Sequence, residues 1–142
     1  MNLIKLRLIF LVLVISTTYS CKEKLFTGSV DCDKCYSIKP DSADLIVHLT
    51  YNSTYNAIPL VIYRDEVNEN NVDYVDTAYD ATYYLYSAVD QKYAIKAEYN
   101  DGVKTIYAID ASKLVIKRVS DACDETCWVI EGGEMNVRLK FE

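Results

Sequence analysis

From Asp44 onward the chain repeats with a period of two. Leu45, Val47, Leu49 and Tyr51 interleave with Ile46, His48, Thr50 and Asn52, and Tyr93, Ile95, Ala97 and Tyr99 with Ala94, Lys96, Glu98 and Asn100. Near the end Met135, Val137, Leu139 and Phe141 interleave with Glu134, Asn136, Arg138, Lys140 and Glu142. Successive side chains of a β-strand leave on opposite faces, so this alternation describes strands with one face in a core and the other in water. Shorter stretches rich in Tyr, Val and Ile add further strands at 57–64, 72–79, 82–88, 105–109, 114–119 and 127–130. Pro59 restricts the first of these to a strand that starts at the proline or lies at an edge. Asn100-Asp101-Gly102 marks a hairpin, since Asp-Gly tolerates the positive φ of a tight primed turn. No window of eleven residues or more after the first twenty shows a 3.6-residue period. Seven or eight strands punctuated by turn signals predict an all-β fold, an antiparallel β-sandwich.

The first twenty residues stand apart. Lys5 and Arg7 give a positive start, Leu8 to Ile15 form an unbroken apolar run, and Ser16-Thr17-Thr18-Tyr19-Ser20 leads with small residues into Cys21. These are the three parts of a cleaved secretory signal. The apolar run is too short for a membrane span, which needs about 20 residues. A buried helix of the folded domain is the competing reading, but the segment has neither a polar face nor a cap. The expected division is a signal peptide over 1–20, Cys21 and a tether over 21–31, and one domain over 32–142, long enough for a single core.

Thr18-Tyr19-Ser20-Cys21 resembles the lipobox of bacterial lipoproteins, in the relaxed Ser-Cys form found in Bacteroidota. That resemblance implies cleavage before Cys21, acylation of its thiol and an anchor in the envelope, here the outer membrane. The cysteine count agrees independently: five cysteines are odd, and setting Cys21 aside leaves Cys32, Cys35, Cys123 and Cys127 as an even set. Lys22-Glu23-Lys24 partly resembles the charged stretch after the lipidated cysteine of surface-exposed relatives. Residues 44–99 resemble the prealbumin-like and carboxypeptidase-regulatory-like group of Ig-type sandwiches. The resemblance rests on a strand from Leu45, the strand Ile58-Pro59-Leu60-Val61-Ile62-Tyr63, and Asp76-Thr77 leading through Tyr83 to Tyr93-Ala94-Ile95-Lys96-Ala97. It implies a structural or binding role and carries over no catalytic residue. Asp41-Ser42-Ala43 and Asp76-Thr77-Ala78 resemble the Bacteroidota O-glycosylation motif, which makes Ser42 and Thr77 candidate acceptors.

Charge excludes one class of partner. Without the signal, 15 Lys and Arg fall to 13 against 21 Asp and Glu, a balance of −8. Nucleic-acid binding rests on phosphate neutralisation by Lys and Arg, so no nucleic acid is expected. Adsorption to anionic lipid through a basic patch is likewise not expected, leaving the acyl chains as the membrane contact.

Cys32-Asp33-Lys34-Cys35 and Cys123-Asp124-Glu125-Thr126-Cys127 are the most distinctive chemistry in the mature part. Two structural disulfides are the leading reading for an exported chain. Three pairings are open, with a lean towards bridges that clip the first segment to the last strands, because they close the longest loop. A four-thiolate zinc site and a thioredoxin-like redox pair at Cys32/Cys35 are the alternatives. Enzyme chemistry finds no support: His48 is the only histidine, expected on a solvent face, and no nucleophile elbow, zinc-protease helix or phosphate loop is present. The oxygen-rich stretch 65–73 could hold Ca²⁺ but lacks the glycine and spacing of an EF-hand, and reads as a hairpin loop. Tyr83-Tyr84-Leu85-Tyr86 sends tyrosines to both faces of its strand, so Tyr84, together with Trp128, is a candidate for stacking on sugar rings. Core and cross-strand packing is the competing role for these aromatics. The function expected is a non-enzymatic, lipid-anchored envelope module without cofactor or metal, whose partner is an envelope protein or a glycan. A glycan-binding accessory lipoprotein and a thiol-redox or zinc protein are the rivals.

Overall fold

The computed structural model describes residues 31–120, 123 and 125–140. The signal segment, Cys21, the tether up to residue 30 and Phe141 lie outside them. The described residues form an all-β structure of nine strands in three sheets, with no α-helix. The strands are β1 (Ser42–His48), β2 (Ile58–Arg64), β3 (Val72–Ala78), β4 (Thr82–Ala88), β5 (Lys92–Asn100), β6 (Thr105–Lys113), β7 (Val115–Val119), β8 (Cys127–Glu131) and β9 (Glu134–Asn136). One sheet has the order β4-β1-β9, a second β3-β2-β5-β6, and β7 pairs with β8 alone.

Alternation decides what is buried. Leu45 and Val47 of β1, Ile58, Leu60 and Ile62 of β2, and Tyr93, Ile95, Ala97 and Tyr99 of β5 turn one face inward and join Leu114 and Met135 in a common core. The inner faces of the two larger sheets therefore share one apolar layer, stabilised by about 1.5–3 kcal/mol for each large side chain removed from water. The hydroxyl of Tyr99 is satisfied inside that layer: it donates to the Val137 carbonyl at 2.8 Å and accepts from the Thr50 N–H at 3.2 Å.

Several details depart from or refine the sequence reading. The strands number nine, and they are not all antiparallel, because β9 runs parallel to β1 with Val47 opposite Met135. The cause is Gly132-Gly133, both at positive φ, where a Cβ would strike the Lys113 carbonyl and the Leu114 side chain respectively. Only glycine turns the chain so closely under β6, and the Gly133 carbonyl then accepts from Ile46 N–H at 2.9 Å to begin the parallel pairing. The last strand also stops at Asn136 rather than running to the end, although burial still alternates through Val137 and Leu139. Of the two placements expected for Pro59, the start of a strand holds and the edge does not: it is the second residue of β2, which lies between β3 and β5, and pairing with β5 begins at Leu60, one residue past the proline. The hairpin at Asn100-Asp101-Gly102 is present, but as a four-residue loop between the paired residues Asn100 and Thr105. Asp101 closes it by accepting from the N–H groups of Val103 and Lys104, and Gly102 alone takes positive φ.

The chain crosses between the two larger sheets after β3, and a side-chain bond spans the crossing. Tyr83 of β4 donates its hydroxyl to the Asp76 carboxylate of β3 at 2.7 Å, while Thr77 N–H donates to the other oxygen. These two donors hold the Asp76 carboxyl below its ordinary value of 3.8, the tyrosine being the larger cause. Burial, then the facing carboxylate, pushes the Tyr83 hydroxyl well above the usual tyrosine range. A depressed carboxyl contributes stability above its unfolded value and loses it as pH falls through the folded one; a raised phenol keeps its contribution until strongly alkaline pH. Tyr83→Phe is expected to lower the unfolding free energy by about 1–2 kcal/mol near neutral pH, with the deficit shrinking once the medium is acidified below about pH 3.8. Urea unfolding of both proteins at neutral and acid pH measures this, and a deficit that does not change with pH would show that the hydroxyl does not serve the carboxylate.

Candidate functional site

The cysteines sit where the N-terminal segment meets the last strands. Residues Cys32–Lys34 form a single 3-10 turn, capped by Asp31, whose Oδ1 accepts from Asp33 N–H at 3.2 Å. The turn closes with Cys35 N–H donating to the Cys32 carbonyl at 3.3 Å, so both cysteines belong to one tight loop. Cys32 is bonded to Cys123 and Cys35 to Cys127. The clip across the chain is thus the pairing the structure adopts. Beside it Tyr36 forms a one-residue β-bridge with Trp128, with N–H to carbonyl bonds of 2.8 Å in both directions. Cys127 opens β8 and is buried, Cys35 and Cys123 are half-buried, and Cys32 is exposed.

The two proposed stacking residues are not brought together. Tyr84 lies on β4, 62% exposed, on the outer face of the β4-β1-β9 sheet. Trp128 is half-buried in the β7-β8 sheet, with the Lys39 ammonium 5.4 Å from its ring centre. What joins Tyr84 on its own face is Tyr86, two residues on and 70% exposed. Across β1 these tyrosines stand opposite Ile46 and Asp44, and Glu134 of β9 stands beyond Ile46. The period of two along β4 places Tyr84 and Tyr86 on one face, the sequence signal for this pair.

His48 also differs from expectation. It lies on that outer face, between Thr82 and Asn136, but is half-buried, and its Nδ1 is buried without a hydrogen-bond partner among the described residues. Thr82 of β4 and Asn136 of β9 flank it on either side, which alternation along one strand does not show. Ser42 begins β1 and Thr77 lies in β3; both are half-buried. The stretch 65–73 covers the β2–β3 connection, with a 3-10 turn at Glu69–Asn71, and the first two residues of β3; an ion pair of 2.7 Å joins Arg64 of β2 to Asp73 of β3. Among the described residues, the group of three or more ligating side chains that converges is Cys35, Cys123 and Cys127.

The two disulfides are close to redundant as chain constraints. Either alone closes a loop spanning 91 or 92 residues, worth about 4.6 kcal/mol in the chain-entropy model; once one is made, the other closes a ring of about nine residues, worth about 2.6. Removing one bridge by Cys→Ser exchange of both its residues is therefore expected to cost about 2–3 kcal/mol, and removing both about 7. Denaturant midpoints of the two double variants and the quadruple variant check this, and equal additive losses would contradict it. Disulfides are the chemistry of an oxidising compartment, which suggests an extracytoplasmic protein. Compared with known proteins, the chain matches no family model, no curated protein and no solved structure.

Proposed function

We propose that this chain is an exported, lipid-anchored protein of the cell envelope, held at the outer membrane through Cys21, and that it acts as a non-enzymatic structural or interaction module. On this reading the two core-sharing sheets are the layers of a sandwich of the prealbumin-like, carboxypeptidase-regulatory-like kind. The Asp76–Tyr83 bond between them, formed by two residues of the resembling stretch, supports that likeness. The observation that carries the functional reading is the disulfide clip. Ten residues separate Cys21 from Cys32, and Cys32 is covalently tied to Cys123, 91 residues further along the chain. Pull arriving through an anchored tether then enters the molecule at the two bridges, at the start of β8, as well as through the backbone leading to β1. An acidic surface with a balance of −8 offers no attraction to anionic lipid, so attachment falls to the acyl chains. Metabolic labelling with a palmitate analogue is expected to mark the wild-type chain and to be abolished by Cys21→Ala. Labelling unchanged in that variant would end the lipoprotein reading.

A second reading, a glycan-binding accessory, is favoured by the tyrosine pair. Tyr84 and Tyr86 present two aromatic rings on one outer face, with the carboxylates of Asp44 and Glu134 close by in register. Aromatic faces stack on the C–H faces of sugars while carboxylates accept from hydroxyls. Isothermal titration with envelope polysaccharides is expected to show saturable binding weakened roughly tenfold by Tyr84→Ala, about 1.4 kcal/mol. Binding equally weakened by Trp128→Ala alone would move the site to the other sheet.

A further inference from the structure

Three of the four sulfurs stand closer together than two independent bridges require. Sγ of Cys35 lies 3.9 Å from Sγ of Cys123, its neighbour in the other disulfide. Sγ atoms of Cys35, Cys123 and Cys127 all fall within 4.8 Å of one another, and the fourth, Cys32, is bonded to Cys123. A tetrahedral zinc ion with Zn–S bonds of about 2.3 Å holds its sulfurs about 3.8 Å apart. The separation across the two bridges is already the edge of that tetrahedron.

The supporting chain has the same character. Two ligands come from a Cys-x₂-Cys loop whose backbone is closed by the Cys35 N–H to Cys32 carbonyl bond, and two from Cys-x₃-Cys at the start of β8. Structural zinc sites draw pairs of cysteines at such spacings from two separate loops. The Tyr36–Trp128 bridge holds the two loops in register by backbone hydrogen bonds as well as through the sulfurs. To reach a tetrahedron each bonded pair must part by about 1.7 Å. Cys32 is exposed and Cys123 half-buried, so this pair has room to open.

We propose that the reduced chain, as it stands before its disulfides form, binds one Zn²⁺ through Cys32, Cys35, Cys123 and Cys127. The clip then has two closed forms, a tetrathiolate zinc centre when reduced and two disulfides when oxidised. Binding exchanges four thiol protons for one zinc ion, and the protons leave to solvent. Going to the oxidised form removes four electrons, two for each new S–S bond; two molecules of a disulfide oxidant accept them and become dithiols with four protons taken from solvent, and the ion is released. The inference concerns the cysteines alone and stands whether or not Cys21 carries lipid.

The test uses the chain from residue 22, opened under anaerobic conditions with a water-soluble phosphine, which takes an oxygen from water as each disulfide becomes two thiols. Added Zn²⁺ should remain after desalting at one ion per chain by elemental analysis. Added Co²⁺ should give the d–d bands of a tetrahedral site and thiolate-to-cobalt charge transfer. Cys35→Ser and Cys32→Ser should each weaken zinc by at least about 100-fold, with the far-UV signal of the sheets retained. The Cys35→Ser/Cys127→Ser double variant, still clipped by Cys32–Cys123 when oxidised, reports on folding apart from metal and should hold no zinc once reduced. Zinc below stoichiometry, an octahedral cobalt spectrum, or retention equal in native buffer and in concentrated urea would each overturn the proposal, the last by showing that the folded clip does not build the site.

Discussion

The buried hydroxyl of Tyr99 is the point on which the arrangement of the two larger sheets depends. Its ring lies in the core on the inner face of β5, with Tyr55 packed edge-on at 5.3 Å between ring centres. A phenol placed there loses its water, and burial accordingly pushes it up from its usual value. It can remain only if the core supplies partners, and both come from the opposite sheet's strands or their extensions: the Val137 carbonyl after β9 and the Thr50 N–H after β1. Thr50 then accepts from Leu139 N–H through its own hydroxyl at 2.8 Å, which fixes the C-terminal run beyond β9. An apolar layer resists sliding poorly, because dispersion and water exclusion are non-directional. A donor and an acceptor on one rigid ring set the register between the sheets. At the other side the Asp76–Tyr83 bond does the same where the chain changes sheet.

Much of this was legible in the sequence because one physical rule dominates. A strand's side chains alternate, so the faces of β1 and β5 could be assigned from Leu45, Val47, Tyr93 and Ile95 without knowing any partner strand. Alternation says nothing of direction or neighbour. That β9 lies parallel to β1 depends on Gly132-Gly133, whose meaning comes from atoms distant in sequence, the Lys113 carbonyl and the Leu114 side chain. Pro59 left two placements open, a strand starting at the proline or an edge strand, and β2 takes the first to within one residue. Its missing N–H excludes it from a complete ladder, but a central strand tolerates proline where one neighbour has yet to begin pairing, and β5 reaches only to Leu60.

The candidate sites were legible to a smaller degree. Cysteine number and spacing gave the set of four, and the loop-closure argument gave the direction of the clip, but three pairings satisfy the count equally and only coordinates separate them. The separation of 3.9 Å between sulfurs of different bridges has no trace in the sequence at all. His48 shows the opposite failure: the pattern placed it correctly on the outer face, yet outer-face position does not fix exposure when Thr82 and Asn136 flank the residue.

Under the proposed function, a partner would meet the fold where an edge is left open. Edge strands expose unpaired backbone groups, and proteins commonly blunt such edges with charge, proline or short length. Two of the edges follow the rule, β3 with Asp73 and Asp76 and β6 with Asp110 and Lys113. β4 does not. It is seven residues long, carries three tyrosines and no charged side chain, and among the described residues no strand pairs with its outer edge. Tyrosine covers apolar area while keeping a polar tip, which suits a surface alternately wet and covered. The disulfide clip lies elsewhere, on the loop before β8, and the tether enters there through Cys32. Under the lipoprotein proposal the attachment and the unprotected edge therefore use different strands, and a ligand bound along β4 need not displace the anchored end.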